Sequence, residues 1–184
     1  MDAAMVQFPQ SSTTPDPIQA AAVEVTTEKL EGRNRRIRAR ITVPCSLEQV
    51  WQVLTDYDGL ADFIPNLALS RRIDHPTQGI RLEQVGAQCF LNIKFCARVV
   101  LDMVEQFPHQ LSFQMVEGDF KRFQGCWSLE AVDSPEGMMT QLAYEVTLLP
   151  PRAIPGTLIE RHLCQHLTQN LQAIRHQAMV VCGA

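Results

Sequence analysis

Two histidines four residues apart are the first side chains whose spacing could do chemistry. His162 and His166 would share one helical face, where two imidazoles can bind a zinc ion. No glutamate stands beside them in an H-E-x-x-H arrangement, and on a helical wheel the pair flanks the apolar stripe. The sequence therefore predicts a solvated or boundary position for both histidines and no metal site.

Three further side chains bring polar atoms into positions that the hydrophobic pattern predicts to be apolar. Asn170 falls inside the apolar stripe of the same helix, and Trp127 and Tyr144 fall on inward strand faces. Buried polar atoms need hydrogen-bond partners. For each of them the alternatives are a neighbouring protein group or water and a polar group on a bound ligand.

Sequence motifs for catalysis and cofactor binding are absent. The chain has no G-x-S-x-G, no P-loop and no glycine-rich dinucleotide motif, so we expect no cofactor. The inward titratable groups are Tyr144, Arg71 and Glu160, and none has an evident partner. Glu160 lies near the start of its helix, where a carboxylate suits the helix dipole. The sequence therefore shows no inward acid–base pair that would support an enzymatic function.

Composition places the chain among ordinary globular proteins. It has 184 residues, 46% of them hydrophobic and 20% charged, which suits one domain with a sizeable core. A net charge of −4 argues against general nucleic-acid binding. The six cysteines form no C-x-x-C pair and lie mostly in apolar runs, as free thiols do in a reducing compartment. No apolar run is long enough to span a membrane. We therefore expect a soluble, cytoplasmic protein.

The first twenty residues differ from the rest of the chain. Residues 1–20 are rich in Ser, Thr and Pro and lack the pattern of a targeting peptide, so we predict a flexible tail followed by a single domain over 21–182. An arginine run, residues 33–40, follows the start of that domain. Its alternatives are pairing with acidic neighbours and docking to anionic headgroups in a transient membrane contact.

The elements that must position the polar residues follow from periodicity. Alternation over 36–43 predicts a strand that stops at Pro44, and Ser46 with Gln49 fits a capping box that opens two short helices. Six strands in a meander come next, and from about Gly156 a 3.6-residue period predicts a helix of about 25 residues. A seven-stranded antiparallel sheet must curl around that helix, which leaves space at its wide end.

Four segments carry a resemblance to a known family. Residues 50–67 (VWQVLTDYDGLADFIPNL), 118–130 (GDFKRFQGCWSLE), 142–146 (LAYEV) and 158–174 (LIERHLCQHLTQNLQAI) resemble the SRPBCC superfamily, in its polyketide cyclase/dehydrase group with coenzyme Q-binding START-like domains. The order of elements supports it over about 23–180. The resemblance implies an α+β helix-grip fold, with the two short helices between strands 1 and 2, and a cavity for apolar ligands such as lipids, quinones, isoprenoids or polyketides.

The residues expected to contact such a ligand lie on inward faces or at the rim. Phe63 and Pro65 would form the rim or lid, although they could also simply plug the core. The predicted ligand-binding residues are Phe63, Phe113, Met115, Trp127, Leu129, Leu142, Tyr144, Leu167 and Asn170. The favoured function is a non-catalytic carrier of a hydrophobic small molecule. The alternatives are a cyclase or dehydrase that uses the same cavity and an interaction adaptor with a filled core.

Overall fold

The structure, a computed structural model, describes residues 22–87, 97–135, 137–152 and 155–183. The predicted tail, 1–20, together with Phe95 and the cysteines Cys89 and Cys96, lies outside the described residues. The elements in chain order are β1 Glu24–Lys29, β2 Arg35–Val43, α1 Leu47–Thr55, α2 Leu60–Phe63, β3 Leu67–Ile73, β4 Ile80–Gly86, β5 Arg98–Gln106, β6 Gln110–Gly118, β7 Arg122–Ser134, β8 Gly137–Leu149 and α3 Gly156–Cys182.

The strands form one antiparallel sheet in the order β1-β2-β8-β7-β6-β5-β4-β3. The described sheet has eight strands, whereas the sequence predicts seven, and the missed strand is β1. β1 pairs with β2 in register from Glu24↔Arg40 to Lys29↔Arg35, but its side chains are mostly exposed. An edge strand that buries no face shows no clear apolar alternation, and the two short helices consequently lie between the second and third strands.

The passage from β2 through α2 folds as its sequence predicts. The Ser46 side chain accepts from the Gln49 N–H, and the Gln49 side chain accepts from the Ser46 N–H, which completes the capping box. Helix α1 turns Val50, Val53 and Leu54 inward. Helix α2 ends before Pro65, and the chain then enters β3 through Asn66.

Helix α3 packs against β1, β2, α1 and α2. Its buried stripe is Ile159, Leu167, Leu171, Ile174 and Ala178. The helix ends at Gly183, whose φ of 72° lies in the left-handed region that favours glycine. Within the described part of the chain, no helix is apolar over a length that could cross a bilayer.

The arginines of β2 pair with acidic side chains on neighbouring strands, as one of the two alternatives from the sequence predicts. Arg36 and Arg38 contact Glu28 and Glu145 from the flanking strands β1 and β8. Arg40 pairs with Glu24. These cross-strand ion pairs occupy the outer face of the sheet, so the net charge of the patch is far lower than the run of arginines indicates by itself.

Candidate ligand cavity

A cavity of about 230 Å³ separates the inner face of the curved sheet from α3. Its wall includes Leu60 and Ile64 from the helical passage, Leu82 from β4, Leu101 from β5, and Leu167 from α3. A single buried water needs only about 10–15 Å³, so this space is much larger than a packing defect. The sheet and the helix therefore leave room for a small guest molecule.

Aromatic side chains form the wall on the β6, β7 and β8 side. Phe113 stacks on Tyr144 with ring centroids 5.7 Å apart, and Trp127 contacts the same tyrosine at 4.4 Å. Phe123 lies 5.6 Å from Phe113. Burial raises the pKa of the Tyr144 hydroxyl, so it stays protonated at neutral pH.

The polar groups of the wall differ in how well they are satisfied. The Tyr57 hydroxyl donates to Glu105 Oε1 at 2.7 Å, and Gln84 Nε2 donates to Ser70 Oγ at 3.2 Å. The Asn66 amide nitrogen donates to Gln169 and Asn170. The ring of Tyr144 contacts those of Phe113 and Trp127, and no described residue is a hydrogen-bond partner of its hydroxyl. Tyr144 therefore presents a polar atom that a ligand can use.

The histidine pair is half-buried, in agreement with the predicted boundary position, and it also borders the cavity, which the sequence did not indicate. The rings of His162 and His166 have centroids 3.7 Å apart. Burial lowers the pKa of both, and burial together with the charge of His162 lowers that of His166 to about 4. The helical wheel correctly placed the two histidines beside the apolar stripe of α3. Because the sheet curls around α3, it also faces the sides of that stripe, and the histidines therefore reach the cavity. No cluster of three metal-ligating side chains occurs among the described residues.

Five of the nine sequence-predicted ligand residues border the cavity: Phe113, Trp127, Tyr144, Leu167 and Asn170. Whether they touch a ligand stays a prediction. Asn170 also accepts a hydrogen bond from Asn66, so it has a partner within the protein as well as a position in the cavity wall.

The other four lie away from the cavity. Leu129 and Leu142 face each other in the β7–β8 ladder and are fully buried in the core beyond it, because the sheet packs closely there. Met115 is partly buried beside Gly118, next to an irregularity in the β5–β6 register, and does not border the cavity. Phe63 lines a separate groove between α1 and α3, with Val53 and Val181. The predicted rim residues Phe63 and Pro65 do not border the cavity, whereas their chain neighbours Ile64 and Asn66 do.

Sequence reasoning missed several wall residues. Tyr57 lies in the turn between α1 and α2, Asn66 lies just before β3, and Gln84 lies within β4. The hydrophobic pattern does not single out any of these positions. His162 and His166 were also missed, although they do carry a signal: with the predicted Asn170 they repeat at a spacing of four, which puts three polar side chains on one face of a helix.

The family follows from the sequence itself. Residues 43–175 match the family model described as polyketide cyclase / dehydrase and lipid transport. The chain belongs to this family. No curated protein matches it significantly. The polyketide cyclase/dehydrase and lipid transport family therefore accounts for the described elements from the end of β2 to within α3, which together enclose the cavity.

Solved structures similar to this family member share its fold. A STAR-related lipid transfer protein from Xanthomonas axonopodis is 16% identical, with a TM-score of 0.67 over 86% of this chain and 94% of that one. The Zhui aromatase/cyclase from a Streptomyces species is 15% identical, with a TM-score of 0.66 over 79% and 93%. A START superfamily protein from Mycobacterium smegmatis is 13% identical, with a TM-score of 0.65 over 79% and 98%. These likenesses establish the START-like helix-grip fold.

Proposed function

We propose that this protein binds and carries a hydrophobic small molecule in the cavity between the sheet and α3. The observation that carries the proposal is the cavity itself, whose wall is formed mainly by aliphatic and aromatic side chains. Burying apolar ligand surface there contributes about 25 cal/mol per Å² before the entropic cost of binding is subtracted. The family description, which includes lipid transport, supports a ligand of this class.

The charge of the wall narrows the class of ligand further. The described residues that border the cavity include no lysine, arginine, aspartate or glutamate. A charged ligand group would find no counter-ion among these described residues, and burying a charge without one is costly. The ligand is therefore a neutral lipid, quinone, isoprenoid or polyketide-like molecule. A cytoplasmic location and a transient membrane contact stay predictions, and the arginines that suggested the contact are held by carboxylates.

The first experiment identifies the guest. Protein purified without detergent is examined by native mass spectrometry, and its organic extract is analysed for lipids and quinones. We expect a co-purifying neutral molecule, or a panel member that raises the melting temperature. The carrier function is refuted when nothing co-purifies and no neutral lipid, quinone or isoprenoid stabilises the protein.

A cavity-filling variant then locates the binding. In Leu167→Trp the indole would enter the cavity, since Leu167 forms part of its wall. We expect the ligand-induced rise in melting temperature to disappear while the fold persists. Val180→Trp is the matched control, because Val180 lies on the same helix and is 61% exposed. An equal ligand-induced rise in melting temperature in the two variants would show that the ligand binds outside this cavity.

The second candidate is a cyclase or dehydrase that uses the same cavity, and the histidine pair favours it. His162 and His166 border the cavity, and their lowered pKa values keep both rings neutral at neutral pH. A neutral imidazole can take a proton from a bound substrate as a general base. The aromatase/cyclase among the similar structures indicates that this fold accommodates such chemistry.

Activity is tested with a synthetic poly-β-ketone thioester, followed by mass spectrometry for products that have lost water. An enzyme should give such products faster than buffer does, and His166→Gln should slow them. A carrier should bind the thioester without converting it. The two functions are thus distinguished by turnover, while both predict binding.

A further inference from the structure

The Asn66 side chain lies where the chain leaves α2 and enters β3, in the wall of the cavity. Its surroundings hold the backbone on both sides: the Leu67 N–H donates to the Ile64 carbonyl at 3.1 Å, and the Ala87 N–H donates to the Asn66 carbonyl at 3.0 Å. The residue is only 6% exposed. The carboxamide is therefore held at one place between β3 and α3.

The hydrogen bonds of this carboxamide are unbalanced. Its NH₂ group has two donors, and both are used: Nδ2 lies 2.9 Å from Gln169 Oε1 and 3.0 Å from Asn170 Oδ1. Its oxygen, Oδ1, is buried and accepts no hydrogen bond from the described residues. Buried polar atoms normally have a partner, so an orphaned acceptor beside a cavity points to a partner that comes from outside the chain.

We propose that Asn66 Oδ1 accepts a hydrogen bond from a hydroxyl group on the bound molecule, so that the ligand is a neutral apolar molecule carrying an alcohol or phenol. This inference rests on the proposed function, because it concerns the same cavity. Oδ1 is shielded from bulk water, while the side chain that carries it borders the cavity, so a donor on the bound molecule is the partner available to it.

The choice of a hydroxyl follows from what surrounds the oxygen. Ketone, ester and ether oxygens only accept hydrogen bonds, so they leave Oδ1 unsatisfied. A carboxylate would bring a negative charge towards the amide oxygens of Asn66, Gln169 and Asn170, with no cationic lysine or arginine among the described lining residues. A neutral donor is the group that fits.

Two isomeric probes test this directly. 1-Decanol and 1-methoxynonane have the same atoms, but only the alcohol donates a hydrogen bond. Isothermal titration calorimetry gives the ratio of their dissociation constants for the wild type, Asn66→Leu and Gln169→Ala. We expect the alcohol's advantage to fall about tenfold in Asn66→Leu, the effect of one hydrogen bond. Gln169→Ala is the control, since Gln169 also bonds to Asn66 but does not border the cavity. It should keep the wild-type ratio.

Each outcome decides the matter. A ratio that is the same in the wild type and Asn66→Leu overturns the inference and leaves the carrier function standing. A wild-type preference for the ether also overturns it, since Asn66 would then present its N–H. Failure of both probes and of every neutral ligand refutes the carrier function as well. If Asn66→Leu does not fold, Asn66→Ala, which also removes the acceptor oxygen but adds no larger side chain, takes its place, and an unchanged preference for the alcohol in that variant contradicts the proposal.

Discussion

The Arg35 guanidinium donates to Glu160 Oε2 at 3.2 Å, which joins β2 to the beginning of α3. Thr27 of β1 donates its hydroxyl to the other carboxylate oxygen at 2.6 Å. Glu160 therefore fixes the start of the long helix on the edge of the sheet, away from the cavity. This contact defines one end of the space between sheet and helix.

Loss of that carboxylate should loosen the start of α3. We expect Glu160→Ala to lower the free energy of unfolding by about 1–2 kcal/mol, because it removes a partly buried ion pair and a hydrogen bond together. Chemical denaturation measures the change. The matched control is Glu28→Ala in the exposed Arg36–Arg38 network, which should cost no more than about 0.5 kcal/mol. Equal costs would show that Glu160 is an ordinary surface charge.

Gly125 lets the aromatic wall approach the sheet. A Cβ at this position would collide with the carbonyl oxygen of Glu145 and lie 2.8 Å from Cζ of Phe113. We expect Gly125→Ala to destabilise the protein by about 1–3 kcal/mol through overpacking, as measured by thermal or chemical unfolding.

The control for Gly125 is another strand glycine with more room. A Cβ at Gly86 would meet nothing nearer than the Ala97 carbonyl oxygen at 3.7 Å, which is ordinary contact. Gly86→Ala should be neutral, or stabilising by about 0.4–1 kcal/mol through the unfolded chain. A tolerated alanine at Gly125 would mean that β7 and β8 separate easily there.

Local signals predicted most of the fold. The capping box at Ser46 and Gln49, the strand break at Pro44 and the stripe of α3 depend on neighbouring residues, so a single sequence reveals them. Strand β1 does not carry such a signal, because its exposed residues gain stability from pairing with β2 rather than from burying a face. The seven-strand prediction failed for that reason.

The cavity wall was harder to predict because curvature is not a local property. Leu129 and Leu142 alternate correctly, yet they lie where sheet and core close together, while Tyr144 and Trp127 on the same ladder border the open part. Asn66 depends on a contact with Asn170, 104 residues further along the chain. Periodicity identifies which face is inward, but not which part of that face remains unfilled.

The lowered pKa of His166 should make stability depend on pH. The ordinary pKa of 6.5, which applies to the unfolded chain, falls to about 4 in the folded protein, so the unfolded state binds more protons between these values. The stability associated with a neutral His166 is fully present above pH 6.5 and is lost as the pH falls towards 4. Because the ring is only partly buried, we expect about 1–2 kcal/mol rather than the full conversion of the shift.

Denaturation of the wild type and of His166→Gln at pH 7 and pH 5 measures this effect. The wild type should lose more stability between the two values than the variant does. Asp102 and Glu83 have pKa values lowered by arginine partners, so their contributions are lost only at lower pH. Parallel losses in the two proteins would mean that the folded chain protonates His166 as easily as the unfolded chain does.

Removal of either tyrosine hydroxyl from the cavity wall should have opposite consequences. Tyr144 has no hydrogen-bond partner among the described residues, so Tyr144→Phe should leave stability unchanged or slightly raised and should weaken binding of a polar-headed neutral ligand by about three- to tenfold. Tyr57 donates to Glu105, so Tyr57→Phe should cost about 0.5–1.5 kcal/mol of stability. Thermal unfolding and calorimetric titration of both variants separate the two roles. An unpaired buried hydroxyl cannot stabilise the protein. If Tyr144→Phe loses stability and keeps its affinity for the ligand, the hydroxyl therefore has a partner within the fold, and its proposed role in binding is wrong.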